Sequence, residues 1–184
     1  MLYFEQIKRK HRWNLLSEDY RNDAEYMSYI VDLLDTKEVQ KLGEFTQHYY
    51  STRLEHSINV SYTSYKLAKK INGDAKATAR AGLLHDLFYY DWRDTKFESG
   101  THAYMHPRIA VANASKLTEL SELERDIIVK HMWGATIAFP RFKESYIVTL
   151  VDKYWAIKEG LIPVSRRWQE RTWLRRKEAT AVID

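Results

Sequence analysis

The chain of 184 residues contains no cysteine. Disulfide bonds and thiolate zinc sites are therefore excluded, and any metal ion must be held by imidazole and carboxylate groups. Proline and glycine are also scarce, with only three and six residues, whereas apolar residues recur at spacings of three and four. This combination is typical of a domain that is almost entirely helical.

The sequence also lacks an apolar run long enough for a transmembrane helix, and its first residues do not have the order of a signal peptide. We therefore expect a cytoplasmic protein. Hydrophobic residues at 45% and charged residues at 29% are globular values, and the length suits one domain with a substantial core. The net charge of +4 suits an anionic substrate, but it suits non-specific binding to nucleic acid equally well.

Residues 81–90 contain the adjacent pair His85 and Asp86 within an otherwise apolar, helical stretch. A buried carboxylate beside an imidazole must be satisfied, and a metal ion does so most easily. His56 lies upstream and Asp152 downstream, each in a helical stretch with apolar neighbours. The order along the chain is thus His, His-Asp, Asp.

This order and the sequence segments around it resemble those of the HD superfamily of metal-dependent phosphohydrolases. The matching segments are RLEHSINVSYTSYKLAKK, ARAGLLHDLFYYDW, HPRIAVANA, ERDIIVKHMW and ESYIVTLVDKYWA. The resemblance implies an all-α, single-domain helical bundle of the HD phosphohydrolase type over residues 1–184. Its core would cover about 46–160, with N-terminal helices in 1–45 and a basic C-terminal helix in 161–184 packed on it.

Apolar spacing and capping signals divide the core into helices. A helix over about 47–71 should turn His56 toward the core, and Asp74 is suited to cap the next helix, which carries His85 and Asp86. Upstream of them, Thr36 is a suitable N-cap for a short helix that Gly43 stops.

The second half of the core follows the same rules. Residues 91–105 are predicted to form a loop over the site, and Pro107 suits the first position of a helix, with His106 at its entrance. Ser121 opens a capping box for a helix that turns His131 inward. A long helix over about 143–159, ended by Gly160, carries Asp152 near its middle. One of its faces carries Tyr146, Leu150, Tyr154 and Ile157.

The resemblance also implies the roles of individual residues. One metal ion would be held by His56, His85, Asp86 and Asp152. Asp86 would bridge to a second ion held by His106 and His131, and His85 and Asp86 would be the catalytic pair. Mixed nitrogen and oxygen ligands suit one or two divalent transition-metal ions, namely Fe, Mn, Ni, Co or Zn, better than Mg.

A phosphate group needs cationic donors near the ligands. The candidates for substrate binding are Arg53, Lys130, Arg108 and Lys153. Arg53 leads because one helical turn separates it from His56, although a surface salt bridge is an equally good interpretation. His102 and His48 are weaker candidates, as a loop ligand or substrate contact and as a residue near the mouth of the site. Exposure to solvent is expected for both of them and for His11.

The resemblance implies hydrolysis of a phosphate ester or anhydride in a nucleotide-like small molecule by a metal-activated water. The expected partner is a small anionic phosphorylated substrate; no membrane contact is expected, nucleic acid is not favoured, and a homodimer is allowed. Two alternatives stay open. One is a catalytically idle, metal-binding HD domain used for ligand sensing, and the other is a helical nucleic-acid-binding protein, which the basic, aromatic stretch 166–177 would serve.

Overall fold

The computed structural model describes residues 20–48 and 51–161. Seven α-helices lie in this part of the chain: α1 (Ala24–Leu34), α2 (Lys37–Gln40), α3 (Arg53–Lys70), α4 (Ala75–Leu84), α5 (His102–Leu117), α6 (Glu122–Lys130) and α7 (143–161). A small hairpin pairs β1 (Thr46–His48) with β2 (Ser51–Thr52), and short 3-10 helices cover Tyr20–Asn22 and Lys41–Glu44. The predicted all-α class is confirmed.

Local capping starts three of the helices where the sequence predicts. The side chain of Asp74 accepts a hydrogen bond from the backbone N–H of Ala77 at 2.9 Å, and Thr36 caps α2 in the same way. Ser121 and Glu124 form the predicted capping box of α6. These signals are local, so they act in the same way in every helical fold.

The predicted start of α3 at residue 47 is wrong. Thr46 pairs with Thr52 across the hairpin, so the chain is extended there. The helix begins only at Arg53, because Thr52 and Glu55 form a second capping box, with the backbone N–H of Thr52 donating to Glu55 Oε2 at 2.9 Å.

Two further boundaries differ from the prediction. Helix α4 ends at Leu84, so His85 and Asp86 follow the helix instead of lying within it. Helix α5 begins at His102, and Pro107 lies inside it, in its second turn. The backbone N–H groups of residues 104 and 105 already bond to the Thr101 carbonyl, so the helix is established before Pro107 is reached. His106 is therefore held within a helix rather than at its entrance.

Helix α4 lies at the centre of the fold and packs against α3, α6 and α1. Gly82 makes the closest approach to α3, because a Cβ at this position would lie 2.9 Å from Ser61 Cα. Helix α1 is part of the same core: Tyr26 and Ile30 are fully buried, and the Tyr26 hydroxyl donates to Ser61 Oγ at 2.8 Å.

Helix α7 buries Val148, Val151 and Trp155 against the bundle, and the Trp155 indole N–H donates to Thr63 Oγ1 at 3.0 Å. The apolar face noted in the sequence lies on the outside, with Leu150, Tyr154 and Ile157 exposed by 61%, 54% and 63%. The helix also continues through Gly160 to residue 161, so the predicted stop there is wrong.

The extent of the domain stays a prediction, because residues 1–19, 49–50 and 162–184 lie outside the described part of the chain. His11 and the basic stretch 166–177 are among them, and the side chain of His48 is not described either. No helix in 20–48 or 51–161 is long and apolar enough to cross a lipid bilayer.

The close approach at Gly82 leads to a stability prediction. A Gly82→Ala change should lower the free energy of unfolding by about 1–3 kcal/mol, because the new methyl group must push α3 and α4 apart. The matched control is Gly160→Ala, where a Cβ meets no described atom within 4 Å. This control should be neutral or stabilising by up to about 1 kcal/mol, as alanine favours a helix over glycine. Equal urea unfolding curves for the two variants would contradict the close crossing.

Candidate metal centre

The fold brings all six predicted metal ligands together. His106 Nε2 and His131 Nε2 lie 3.3 and 3.6 Å from Asp86 Oδ1. His85 Nε2 lies 3.7 Å from Asp86 Oδ2 and 3.7 Å from Asp152 Oδ1, and His56 Nε2 lies 3.0 Å from that same Asp152 oxygen. Two overlapping groups of ligand atoms result. They are His56, His85 and Asp152, and His85, Asp86 and His131.

Three of the histidines are held in the same tautomer by the same kind of hydrogen bond. The Nδ1 atoms of His85, His106 and His131 each lie 2.8 Å from a backbone carbonyl, of Gly82, His102 and Ile128 in turn. A carbonyl oxygen can only accept, so each Nδ1 carries the proton. In the neutral ring the Nε2 atom then carries no proton, and its lone pair is free to bind a metal ion.

The C-terminal turns of two helices provide two of these carbonyls, those of Gly82 and Ile128. His85 follows the last residue of α4, and His131 follows the last residue of α6. The terminal carbonyls of a helix lack partners within the helix, so a nearby N–H satisfies one of them. The hydrogen bond from Nδ1 therefore satisfies a terminal carbonyl of the helix. It also orients the Nε2 atom of the same ring toward the candidate metal centre.

The unprotonated Nε2 atoms lie close together with no hydrogen-bond donor between them. His106 Nε2 and His131 Nε2 are 2.8 Å apart, and both are acceptors when their Nδ1 atoms donate. Within the described residues, His85 Nε2 and Asp86 Oδ1 are buried and have no hydrogen-bond partner. Buried acceptors that face one another cost free energy unless a cation lies among them. The donor set therefore fits a divalent transition-metal ion.

His56 belongs to a different electrostatic environment. Its Nδ1 atom lies 3.3 Å from both carboxylate oxygens of Glu159, and its Nε2 atom faces Asp152. Burial opposes protonation of this ring, but the hydrogen bonds with Asp152 and Glu159 outweigh burial and raise the pKa of His56 to about 10. A carboxylate behind a ligating imidazole also orients the ring and makes it a stronger donor to metal.

The other side of the centre favours neutral imidazole and ionised carboxylate. Burial, with the nearby His106 and His85, lowers the pKa of His131 to about 3. Burial opposes ionisation of Asp86, but His85 and His106 hold the pKa of this carboxyl well below its usual range. Both groups are thus in the protonation state that a metal ion requires.

Comparison of the sequence with models of known protein families gives a result that agrees with this geometry. A family model described as HD domain matches residues 53–157, which is more than half of the chain and includes all six predicted ligands. The chain belongs to the HD-domain family. This is a superfamily of metal-dependent phosphohydrolases, as the sequence resemblance implies. Comparison with curated proteins found no match, and comparison with solved structures found none either.

A cleft of about 250 Å³ opens onto the candidate metal centre of the HD domain. Asp86, His106, His131 and Asp152 line it together with Gln47, Trp92, His102, Met132, Lys153 and Ala156. The rings of Trp92, His102 and His106 form a continuous stack, with centroids 5.8 and 4.3 Å apart. His102 is therefore half-buried in the wall of the cleft, and the expectation of a solvent-exposed side chain is wrong.

The four predicted substrate cations have different placements. Lys153 lines the cleft, with its Nζ donating to the His131 carbonyl at 3.4 Å. Lys130 and Arg108 are not among the described residues that line it, and the exposed Arg108 lies over the ring of Tyr104, 3.5 Å from its centroid. Arg53 is fully buried.

Each nitrogen of the buried Arg53 guanidinium already donates a hydrogen bond within the protein. Its Nη1 and Nη2 atoms donate to the carbonyls of Phe88 and Tyr90 at 2.7 and 3.2 Å, and its Nε donates to Gln47 Oε1 at 2.9 Å. The guanidinium also lies 3.6 Å from the centroid of the Phe88 ring. This placement argues against the substrate contact and against a surface salt bridge.

Two polar residues at the centre were missed from the sequence. Glu159 is seven residues after Asp152, so the two lie on one side of α7, and this spacing is a signal that could have found it. Gln47 donates to Asp86 Oδ2 at 2.8 Å from the hairpin strand β1. No local pattern marks it, because the contact spans 39 positions of the chain.

The raised pKa of His56 leads to a pH prediction. An ion that binds His56 must displace its proton in the metal-free protein, because the pKa of this ring is about 10. Affinity for Mn²⁺ should therefore rise by up to about tenfold per pH unit between about pH 7 and about pH 9. Calorimetric titration in buffers of different ionisation enthalpy should count about one released proton per ion at this position. An affinity that does not change over this range would contradict the assignment.

Proposed function

We propose that this HD domain hydrolyses a phosphate ester or anhydride in a nucleotide-like small molecule with a metal-activated water. The observation that carries the proposal is the convergence of bare imidazole Nε2 atoms and two carboxylates beside a cleft that contains a lysine. When bound, ions of the Fe, Mn, Ni, Co or Zn type would lower the pKa of a water and neutralise charge on phosphoryl oxygens.

The residues of the cleft would bind the anionic group of the substrate. Lys153 carries positive charge at the wall, and Asp152, in the preceding position, belongs to the ligand set, so an anionic group bound there lies beside the centre. Burial lowers the pKa of Lys153, while Asp152 opposes this effect. A volume of about 250 Å³ accommodates a phosphoryl group with a small part of its substituent inside the cleft.

The preference for a nucleotide-like substrate is supported by the aromatic wall. Trp92 is 37% exposed and ends the ring stack that runs through His102 to His106. A planar base outside the cleft can stack on the indole while its phosphate lies next to the ligands. Burial, with the neighbouring His106 imidazole, lowers the pKa of His102 to about 4, so the His102 ring is neutral at physiological pH.

Cytoplasmic location and a homodimer stay predictions of the sequence. A surface for self-association is available on α7, where Leu150, Tyr154 and Ile157 form an exposed apolar stripe. A purely sensory HD domain would bind metal and nucleotide without turnover. A nucleic-acid-binding role would rest on residues 166–177, which lie outside the described part of the chain.

The proposed activity is tested with metal-free protein reloaded with each of the five metals. Nucleoside monophosphates, diphosphates and triphosphates, dinucleoside polyphosphates and p-nitrophenyl phosphate are incubated with each form, and the products are separated by chromatography. Metal-dependent release of phosphate or nucleotide is expected. Bound ions without turnover of any substrate would favour the sensory alternative.

Removal of the shared carboxylate should abolish this activity. Asp86→Ala should lower kcat by at least about 100-fold, because it removes a ligand placed between His85 and the pair His106 and His131. Asp91→Ala is the matched control, as this exposed carboxylate bonds only to Arg93 among the contacts described. Full turnover and full metal content in the Asp86 variant would refute its role as a ligand.

The cation of the cleft leads to a separate prediction. Lys153→Met should lower kcat/KM by about 10-fold to 100-fold, since one charge-assisted hydrogen bond to phosphate is lost. The metal content should stay unchanged. Lys158→Met, an exposed lysine on the same helix, is the control and should keep the activity of the unchanged protein. Equal kinetics for the two variants would remove Lys153 from the substrate site.

A further inference from the structure

We propose that Gln47 is a positioning residue that determines which oxygen of Asp86 is presented to His106 and His131. The inference rests on the proposed function in one respect, that Asp86 is a metal ligand. It concerns a residue outside the matched family region, which begins at residue 53. Gln47 is 8% exposed and comes from the short strand β1.

Gln47 connects a buried cation to a buried carboxylate. Its Nε2 atom donates to Asp86 Oδ2 at 2.8 Å, and its Oε1 atom accepts from Arg53 Nε at 2.9 Å. Arginine has donors only, so the amide oxygen must face Arg53 and the amide NH₂ must face Asp86. A flipped amide would place two donors together at Arg53 and two acceptors together at Asp86. The orientation of the amide is thus determined by its neighbours.

Arg53 is itself held on several sides. Its two terminal nitrogens donate to the carbonyls of Phe88 and Tyr90, and its guanidinium lies over the Phe88 ring. Phe88 and Tyr90 follow Asp86 by two and four residues, so Arg53 is anchored to the segment that carries the carboxylate. The pair of Arg53 and Gln47 is therefore hydrogen-bonded both to Asp86 and to the backbone that follows it.

The consequence for Asp86 is a difference between its two oxygens. Oδ2 receives the Gln47 amide, whereas Oδ1 is buried and has no hydrogen-bond partner among the described residues. Oδ1 is the oxygen that lies 3.3 Å from His106 Nε2 and 3.6 Å from His131 Nε2. Without Gln47 the carboxylate can rotate about χ2, which is a broad torsion for aspartate. Gln47 therefore supports the ligand position shared with His106 and His131.

The test measures metal binding and needs no turnover. Metal-free protein is titrated with Mn²⁺, and free ion is measured by electron paramagnetic resonance. Gln47→Met, which keeps the shape but removes the amide, should weaken the ion bound through Asp86 by about 10-fold to 100-fold. Gln47→Asn keeps an amide that is too short to reach from Arg53 to Asp86, and it should weaken binding similarly. It serves as the second variant if Gln47→Met does not fold.

The control is Gln40→Met, which removes a different amide hydrogen bond, from Gln40 Nε2 to the Leu34 carbonyl at 2.7 Å. It should leave Mn²⁺ affinity within about twofold of the unchanged protein, because the Gln40 amide bonds to the Leu34 carbonyl and not to any predicted metal ligand. A matching loss of affinity in this control would show a general effect of destabilisation and overturn the inference.

Two other results would also overturn the positioning role. One is unchanged Mn²⁺ affinity in both Gln47 variants. The other is a raised KM with unchanged metal affinity, which would make Gln47 a substrate contact. Metal binding without hydrolysis in the unchanged protein would contradict the proposed function alone, because the titration still measures the effect of Gln47.

Discussion

Three hydrogen bonds from imidazole Nδ1 atoms to backbone carbonyls set the tautomers in the candidate metal centre. They hold the protons of His85, His106 and His131 on the outer nitrogen, so the inner nitrogens converge as lone pairs. The bonds depend on where α4 and α6 end, since two of the carbonyls belong to their last turns. The close crossing at Gly82 brings α4 against α3, which carries His56.

The helical class and the convergence of the six candidate ligands could be predicted from the sequence. Both predictions rest on local signals. Capping residues such as Asp74 and Ser121 act within one helical turn, and the adjacent His85 and Asp86 lie in a short sequence motif. The spacing of Asp152 and Glu159 carried the same type of information. Periodicity alone could not say which face of α7 is covered, and the apolar stripe there proved to be exposed.

The remaining errors come from contacts between distant parts of the chain. The position of Arg53 one turn before His56 indicates a side of the helix, but it does not show whether the donors are already used. Both terminal nitrogens of Arg53 donate to carbonyls of the non-helical segment after Asp86. Gln47 escaped notice because a hairpin of a few residues, rather than the predicted helix, brings it to Asp86.

The central claim, that the converging nitrogens and carboxylates hold metal, is tested most directly by counting ions. Protein purified without an affinity metal should contain nearly two ions of Fe, Mn, Ni, Co or Zn per chain by elemental analysis, as expected of a two-metal hydrolytic site. Protein that holds no ion, even after incubation with each of these metals, would contradict the account.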